Sequence, residues 1–369
     1  MMVTMLQPEA GVKLELLNGW FRIRALTRSR RAFRMPCMAR VLQMAAVALC
    51  AYSAFGAGRV TVAADGSGNF RTVQAAVNAA PGQGTAAEWL IAIRPGIYRE
   101  HLEIGRPFIH LLGLGRAPED VVLTFDLSNR TAGNNTGASA STVVTGDDFT
   151  AENLTFENTY SRNRPLGQEG SQAVALRVGG DRAVFKRVRF LGYQDTLYAQ
   201  ARGCETEHGP CRSARQYFED CYIEGNVDFI FGDSLAWFEN CEIRALAHKT
   251  VYLTAQSKRY QAQASGYVFH NCRVTAEPGA EKIYLGRPWR WHSSVVFLNT
   301  QLPAQVAPEG WLEWIHEEKI SLPTAFYAEF ASKGPGANTA VREPHAKQLT
   351  AEQAAAFKVK THLQGWEPR

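Results

Sequence analysis

Asp228 stands in the stretch GNVDFIFG (residues 225–232), a lone carboxylate among Val227, Phe229, Ile230 and Phe231. A charge in apolar company is costly unless it is paired or titrates abnormally. A second aspartate, Asp195 in GYQDTLYA (192–199), has the same local setting. Asp195 lies ten residues after Phe185, and Asp228 ten after Phe218. Gly192 and Gly225 share an offset of seven, and Leu197 and Ile230 one of twelve. If the strands starting at Phe185 and Phe218 stack, the two carboxylates are neighbours on one face. Both cannot ionise easily at neutral pH, so one is driven toward its protonated form. A protonated acid beside an ionised carboxylate is a catalytic pair. A single aspartate in a turn usually only caps a backbone N–H, but like charges stacked in register destabilise a sheet unless they serve a purpose. His248 also falls ten residues after Phe238. Its flanks do not match and Lys249 adjoins it, so it reads as a solvated loop residue.

Other polar side chains can converge on the same face. Gln194 precedes Asp195, and Gln172 opens QAVALRV; either amide can donate to an oxyanion without adding charge, or simply pair within an amide ladder. In YLGRPW (284–289), Pro288 stiffens the link between Arg287 and Trp289. Arg287 can hold a carboxylate by two parallel hydrogen bonds, and Trp289 offers a flat platform for a sugar ring. Read blandly, they are a surface arginine and a packed tryptophan.

The elements that must position these residues are short β-type segments bounded by Gly, Asn or Asp. AENLTF (151–156), FKRVRF (185–190), FEDCYI (218–223), FENCEI (238–243), FHNCRV (269–274) and FLNTQL (297–302) share one pattern, with starts separated by 34, 33, 20, 31 and 28 residues. A fixed strand motif at a variable period is the signature of a β-solenoid whose loops leave the coil at a corner. Stacking predicts inward columns Val188–Cys221–Cys241–Cys272 and Phe190–Ile223–Ile243–Val274. A β-sandwich is the competing architecture. The spacing Val73, Ala76, Val77, Ala80 before Pro81 predicts a helix over 69–81 that covers the first coil. Thr350 with an early Glu352 predicts a second helix over 350–359, covering the other side. One domain, residues 57–369, follows a distinct leader, residues 1–56.

Composition is that of an ordinary globular protein, 46% hydrophobic and 20% charged. The net charge of +5 sits in the leader, which holds eight Lys or Arg against two acids and leaves 32 basic against 33 acidic residues in the remainder. A general polyanion-binding surface, and with it nucleic-acid binding, is therefore not indicated. The leader has a basic start, an apolar run from about Val41 to Ala51 and small residues near 51–57, which reads as an export signal. SRRAF (29–33) resembles a twin-arginine signal; a start site set upstream of Met35 or Met38 would account for residues 1–34 equally well. The run is too short and Ala-rich for a membrane span, and Leu49 before Cys50 is a poor lipoprotein signal. Five cysteines lie beyond the leader, namely Cys204, Cys211, Cys221, Cys241 and Cys272, so at least one is free or pairs between molecules. No C-x-x-C or His-rich cluster points to a metal.

At these residues the chain resembles the pectin methylesterases, from about Val60 to Pro368. The blocks are PGIYRE (95–100), QAVAL (172–176), GYQDTLYA (192–199), GNVDFIFG (225–232), YLGRPW (284–289), GWLEW (310–314) and FYAEF…GPGAN (326–338). The resemblance implies a right-handed parallel β-helix acting on methylated homogalacturonan with water as second substrate and no cofactor; the oligomeric state is left open by the sequence, a monomer being the expectation. It implies Asp228 as nucleophile and Asp195 as general acid and then base. Gln172 and Gln194 would stabilise the oxyanion, and Arg287 would hold Asp228 oriented and ionised. Phe231, Trp289, Tyr198 and Val227 would line the groove. The extra loop between Gln200 and Arg215 departs from the plant pattern and suggests a bacterial-type member, with Cys204 and Cys211 close enough to bridge. Cys221 and Cys241 match a spacing often bridged in the family, which would leave Cys272 free. Three other functions compete: an esterase or thioesterase on a smaller acyl group, a non-catalytic polysaccharide-binding solenoid, and a polygalacturonan hydrolase. The last needs room for a water beside the sugar.

Overall fold

The computed structural model describes residues 58–82, 87–162, 170–202, 212–314 and 320–368, with a strand pair at Glu15–Leu17 and Trp20–Arg22. The chain divides into two units, residues 1–54 and 55–369. In the first, the described strands pair antiparallel, Glu15 opposite Arg22. Cys204 and Cys211 lie outside the described residues.

The second unit is a parallel β-helix. Among the described residues its strands form three sheets of eleven, seven and six members and a separate pair, His248–Tyr252 with Ala280–Tyr284, every pairing parallel. The six motif starts fall on one ladder of the eleven-stranded sheet: Ala151 pairs with Phe185, then Phe218, Phe238, Phe269 and Phe297 follow in register. The third residue of each motif explains the corner. Asn153, Arg187, Asp220, Asn240, Asn271 and Asn299 all have φ between 50° and 54°, the left-handed region that Asn and Asp tolerate best.

Inside the coil, equivalent side chains stack. The rings of Phe185, Phe218, Phe238, Phe269 and Phe297 lie 4.4–4.8 Å apart, within 10° of parallel. That separation is the strand spacing itself. The predicted column Phe190–Ile223–Ile243–Val274 is in register and buried. Cys221, Cys241 and Cys272 are also buried, but all three are free thiols. The pairing of Cys221 with Cys241 that the family resemblance implied is therefore corrected. Each S–H instead donates to a main-chain carbonyl of the preceding rung, those of Phe185, Phe218 and Phe238. Burial pushes the thiols of Cys221 and Cys241 well up, so they stay protonated.

The first predicted helix forms at Val73–Asn78, capped by the Thr72 side chain, with Val73, Ala76 and Val77 buried in the core under the opening rung. The second forms as two pieces, Ala351–Ala355 with a Thr350–Gln353 capping box and Val359–His362. Rather than closing the end of the coil, this segment lies on the outer face of the eleven-stranded sheet. There Val184, Tyr217, Trp237, Val268 and Val296 point outward and need cover, which Ala354 and Leu363 supply. His362 donates Nε2–H to the carbonyls of Ala236 and Gly266, and burial brings its pKa down to about 4, keeping it neutral.

Candidate active site

Asp195 and Asp228 sit on consecutive rungs. Leu197 pairs with Ile230 and Tyr198 with Phe231, and the Asp195 N–H donates to the Val227 carbonyl at 3.0 Å. Their main chains are therefore one strand spacing apart, about 4.8 Å. Both residues have positive φ, 63° and 50°, which turns the side chain out of the strand direction at the mouth of the six-stranded sheet. The shared glycines permit this turn. A Cβ on Gly225 would lie 2.5 Å from the Tyr193 carbonyl oxygen and 2.3 Å from the Phe229 side chain, and one on Gly192 2.7 Å from Thr196.

The two acids differ in partners. Arg287 grips Asp228 with both arms, Nε to Oδ1 at 2.8 Å and Nη2 to Oδ2 at 2.6 Å. The guanidinium is itself held flat between rings, 4.0 Å from the Tyr252 centroid and 4.2 Å from that of Trp314. Asp195 has no side-chain hydrogen bond among the described residues. Both are almost covered, at 8% and 6% exposure for Asp195 and Asp228. Burial, and after it the charge of Asp228, push the Asp195 carboxyl well above the usual carboxylate range. Burial also raises Asp228, against the opposing pull of Arg287. The guanidinium thus favours the ionised form of Asp228, while burial opposes it and outweighs it. The order of the pair is still clear: Asp195 holds its proton longer.

Both carboxylates open into a pocket of about 290 Å³ that also presents Gln172, Gln194, Phe231, Arg287, Trp289 and Trp314. Neither glutamine amide has a side-chain partner among the described residues, so their N–H groups remain available to a bound oxygen. Tyr198 stacks on Phe231 at 4.3 Å, and the Trp289 ring stands 6.1 Å from Phe231 and 6.3 Å from Trp314. Val227 is half-buried and contributes its carbonyl to Asp195 rather than a wall to the pocket. His248 is exposed, its ring folded against the Thr250 main chain. The rung position equivalent to Asp228 is instead Tyr252, because Ile230 pairs with Thr254.

Sequence reasoning missed Thr136, Ala255, Tyr252 and Trp314. GWLEW had marked the neighbourhood of Trp314, but nothing in the repeat predicted that its ring packs on Arg287. A larger groove of about 430 Å³ lies between Tyr267, Val268 and the C-terminal segment at Phe357 and His362. It has no paired acids and no oriented cation.

A pectinesterase family model matches residues 59–366. Probable pectinesterase/pectinesterase inhibitor 58 of Arabidopsis thaliana is 36% identical over 322 residues, covering 84% of this chain and 53% of that protein. The chain thus spans about half the length of the first curated relatives it matches. These relatives are plant proteins, so the bacterial-type qualifier drawn from the extra loop has no support from them. Among solved structures, the pectin methylesterase from carrot superposes with a TM-score of 0.73 at 32% identity, covering 83% of this chain and 93% of that one. A pectin methylesterase in complex with a hexasaccharide gives 0.68 at 29% identity, covering 84% and 98%. With its parallel coil, its matched residues and these solved neighbours in agreement, the chain belongs to the pectinesterase family.

Proposed function

We propose that this chain is a carboxylic ester hydrolase that removes methyl esters from galacturonate units of pectin and releases methanol. The observation that carries the reading is the asymmetric acid pair: two aspartates on consecutive rungs, one gripped by Arg287 and one whose carboxyl has no partner among the described residues, opening together beside an aromatic wall. The hexasaccharide complex of a similar pectin methylesterase supports a polymeric sugar as occupant of this wall. Asp228 is the nucleophile. Its carboxylate oxygen attacks the ester carbonyl, and the developing oxyanion takes hydrogen bonds from the side-chain amides of Gln172 and Gln194. Asp195 gives its proton to the departing methoxy oxygen, so methanol leaves neutral and an acyl-Asp228 anhydride remains. The now ionised Asp195 takes a proton from water, whose oxygen attacks the acyl carbon. Collapse returns Asp228 as carboxylate and Asp195 as acid. Trp289, Phe231 and Tyr198 hold the sugar faces. Val227 positions Asp195 through its carbonyl.

Residues 1–56 are, on this reading, a leader for export, placing the enzyme outside the cell or in a periplasm. Among the described residues no helix is long and apolar enough to cross a membrane. The test is incubation with highly methylated pectin, measuring methanol and reducing ends together. Methanol without new ends supports the reading, and Asp228→Ala should abolish it. New reducing ends would replace it with a hydrolase, and methyl-ester cleavage confined to small acyl substrates would replace it with the esterase or thioesterase alternative.

A further inference from the structure

Trp314 covers one face of the Arg287 guanidinium, yet its main chain has already left the coil. Leu312, two residues earlier, still donates its N–H to the Gly286 carbonyl at 3.2 Å, beside the bridge between Gly286 and Trp311. Past that point the tie is a side chain. Glu313 Oε1 accepts the N–H groups of both Trp314 and Ser321, and Oε2 accepts that of Leu322, each at 2.9 Å. Ser321 and Leu322 open the short 3-10 helix Leu322–Thr324, to which the Ser321 side chain gives no cap. Glu313 supplies the acceptor that this helix start lacks, and its charge strengthens the bonds. The helix is firmly seated. Leu322 and Ala325 are buried in the core, and the Phe326 N–H donates to the Ser293 carbonyl as the chain enters the strand Phe326–Phe330. Among the described residues no Lys or Arg pairs with Glu313, so its carboxylate serves main-chain donors. One carboxylate oxygen therefore fastens Trp314 to a fixed part of the fold.

We propose that Glu313 is a positioning residue of the active site: its carboxylate fixes the Trp314 ring against Arg287, and through Arg287 it sets the direction of the Asp228 carboxylate. This rests on the proposed ester hydrolysis and deepens it. Arg287 is clasped between Tyr252 at 4.0 Å and Trp314 at 4.2 Å, and its two bonds to Asp228 lie in the plane so defined. Parallel bonds of this kind demand one orientation. A guanidinium released on the Trp314 side can tilt, and the nucleophile tilts with it. Displacing a reacting group by about 1 Å can cost a hundredfold in rate. Glu313 does not line the pocket, so it acts through Trp314 and not on the substrate.

The experiment measures kcat and KM for methanol release from methylated pectin, with circular dichroism and thermal unfolding. It compares wild type, Glu313→Ala, Glu313→Gln, Trp314→Ala, and each Glu313 variant combined with Trp314→Ala. Glu313→Ala should lower kcat by about 10–100-fold. Glu313→Gln keeps one acceptor oxygen without the charge, so its loss should shrink to about 3–5-fold. Beside Trp314→Ala, either change should cost no more than about twofold further, because the ring that Glu313 positions is gone. A merely structural carboxylate would lower the melting temperature alike in both backgrounds and leave kcat of the folded enzyme as it was. Wild-type kcat in folded Glu313→Ala, or losses that multiply in the double variant, would overturn the proposal. Should Glu313→Ala fail to fold, Glu313→Gln decides: wild-type kcat, or a loss that persists beside Trp314→Ala, would overturn it. Absence of methanol release from wild type would instead overturn the activity on which it rests.

Discussion

Replacing Arg287 by alanine isolates what the guanidinium does for Asp228. Two charge-assisted hydrogen bonds of 2.8 and 2.6 Å end on a nearly covered carboxylate. Bonds of this kind contribute about 1.5–3 kcal/mol each, all of it to the ionised form. At 1.36 kcal/mol per pKa unit, losing both would raise the Asp228 pKa by about 2–4 units. The pocket admits water, which replaces part of that, so the lower end is expected. Asp228 already lies above the usual carboxylate range, because burial outweighs Arg287. In the variant the nucleophile is therefore protonated across the mildly acidic range. The acid limb of kcat/KM should move up by about two units, with a loss of roughly a hundredfold at pH values just above the wild-type limb. Arg287→Lys should fall between, since an ammonium keeps the charge but loses the fork and the fit between Tyr252 and Trp314. The assay is methanol release from methylated pectin across pH, with circular dichroism to show that the coil is intact. A folded Arg287→Ala enzyme whose acid limb stays within half a unit of wild type would refute the reasoning.

Asp195→Asn should abolish turnover yet raise thermal stability at neutral pH. The folded-state pKa of Asp195 is raised, so wild type loses stability as pH rises from the unfolded value through the folded one, and the amide avoids this; a gain that fails to vanish near pH 4 would contradict the sign. Gln172→Ala should cut kcat by about 10²–10³ with the melting temperature unchanged, and turnover within twofold of wild type would count against its oxyanion role. Arg342→Ala should cost about 3–5 kcal/mol, read by denaturant unfolding. It strands Glu329, which is 1% exposed and sits directly after Phe297 on the ladder, without its bonded partner.

The repeat was legible because a parallel coil places identical demands on every rung. A residue that tolerates the left-handed corner must stand third in each motif, and an inward residue must stack at the strand spacing, so Asn153 to Asn299 and the five phenylalanines rhyme along the chain. For the same reason the register of Asp195 and Asp228 followed from offsets alone. The sequence did not determine where the irregular corners go. His248 shares the numerical offset of the aspartates, but the turn before Thr254 takes a different length and brings Tyr252 to that rung position instead. The family resemblance likewise implied a bridge between Cys221 and Cys241, whereas the coil spends each thiol on a carbonyl of the rung before. The cage of Tyr252 and Trp314 around Arg287 joins the end of a strand to residues from two separate loops. Composition and periodicity record what each rung needs, but only the packed coil decides which loops meet across its open face.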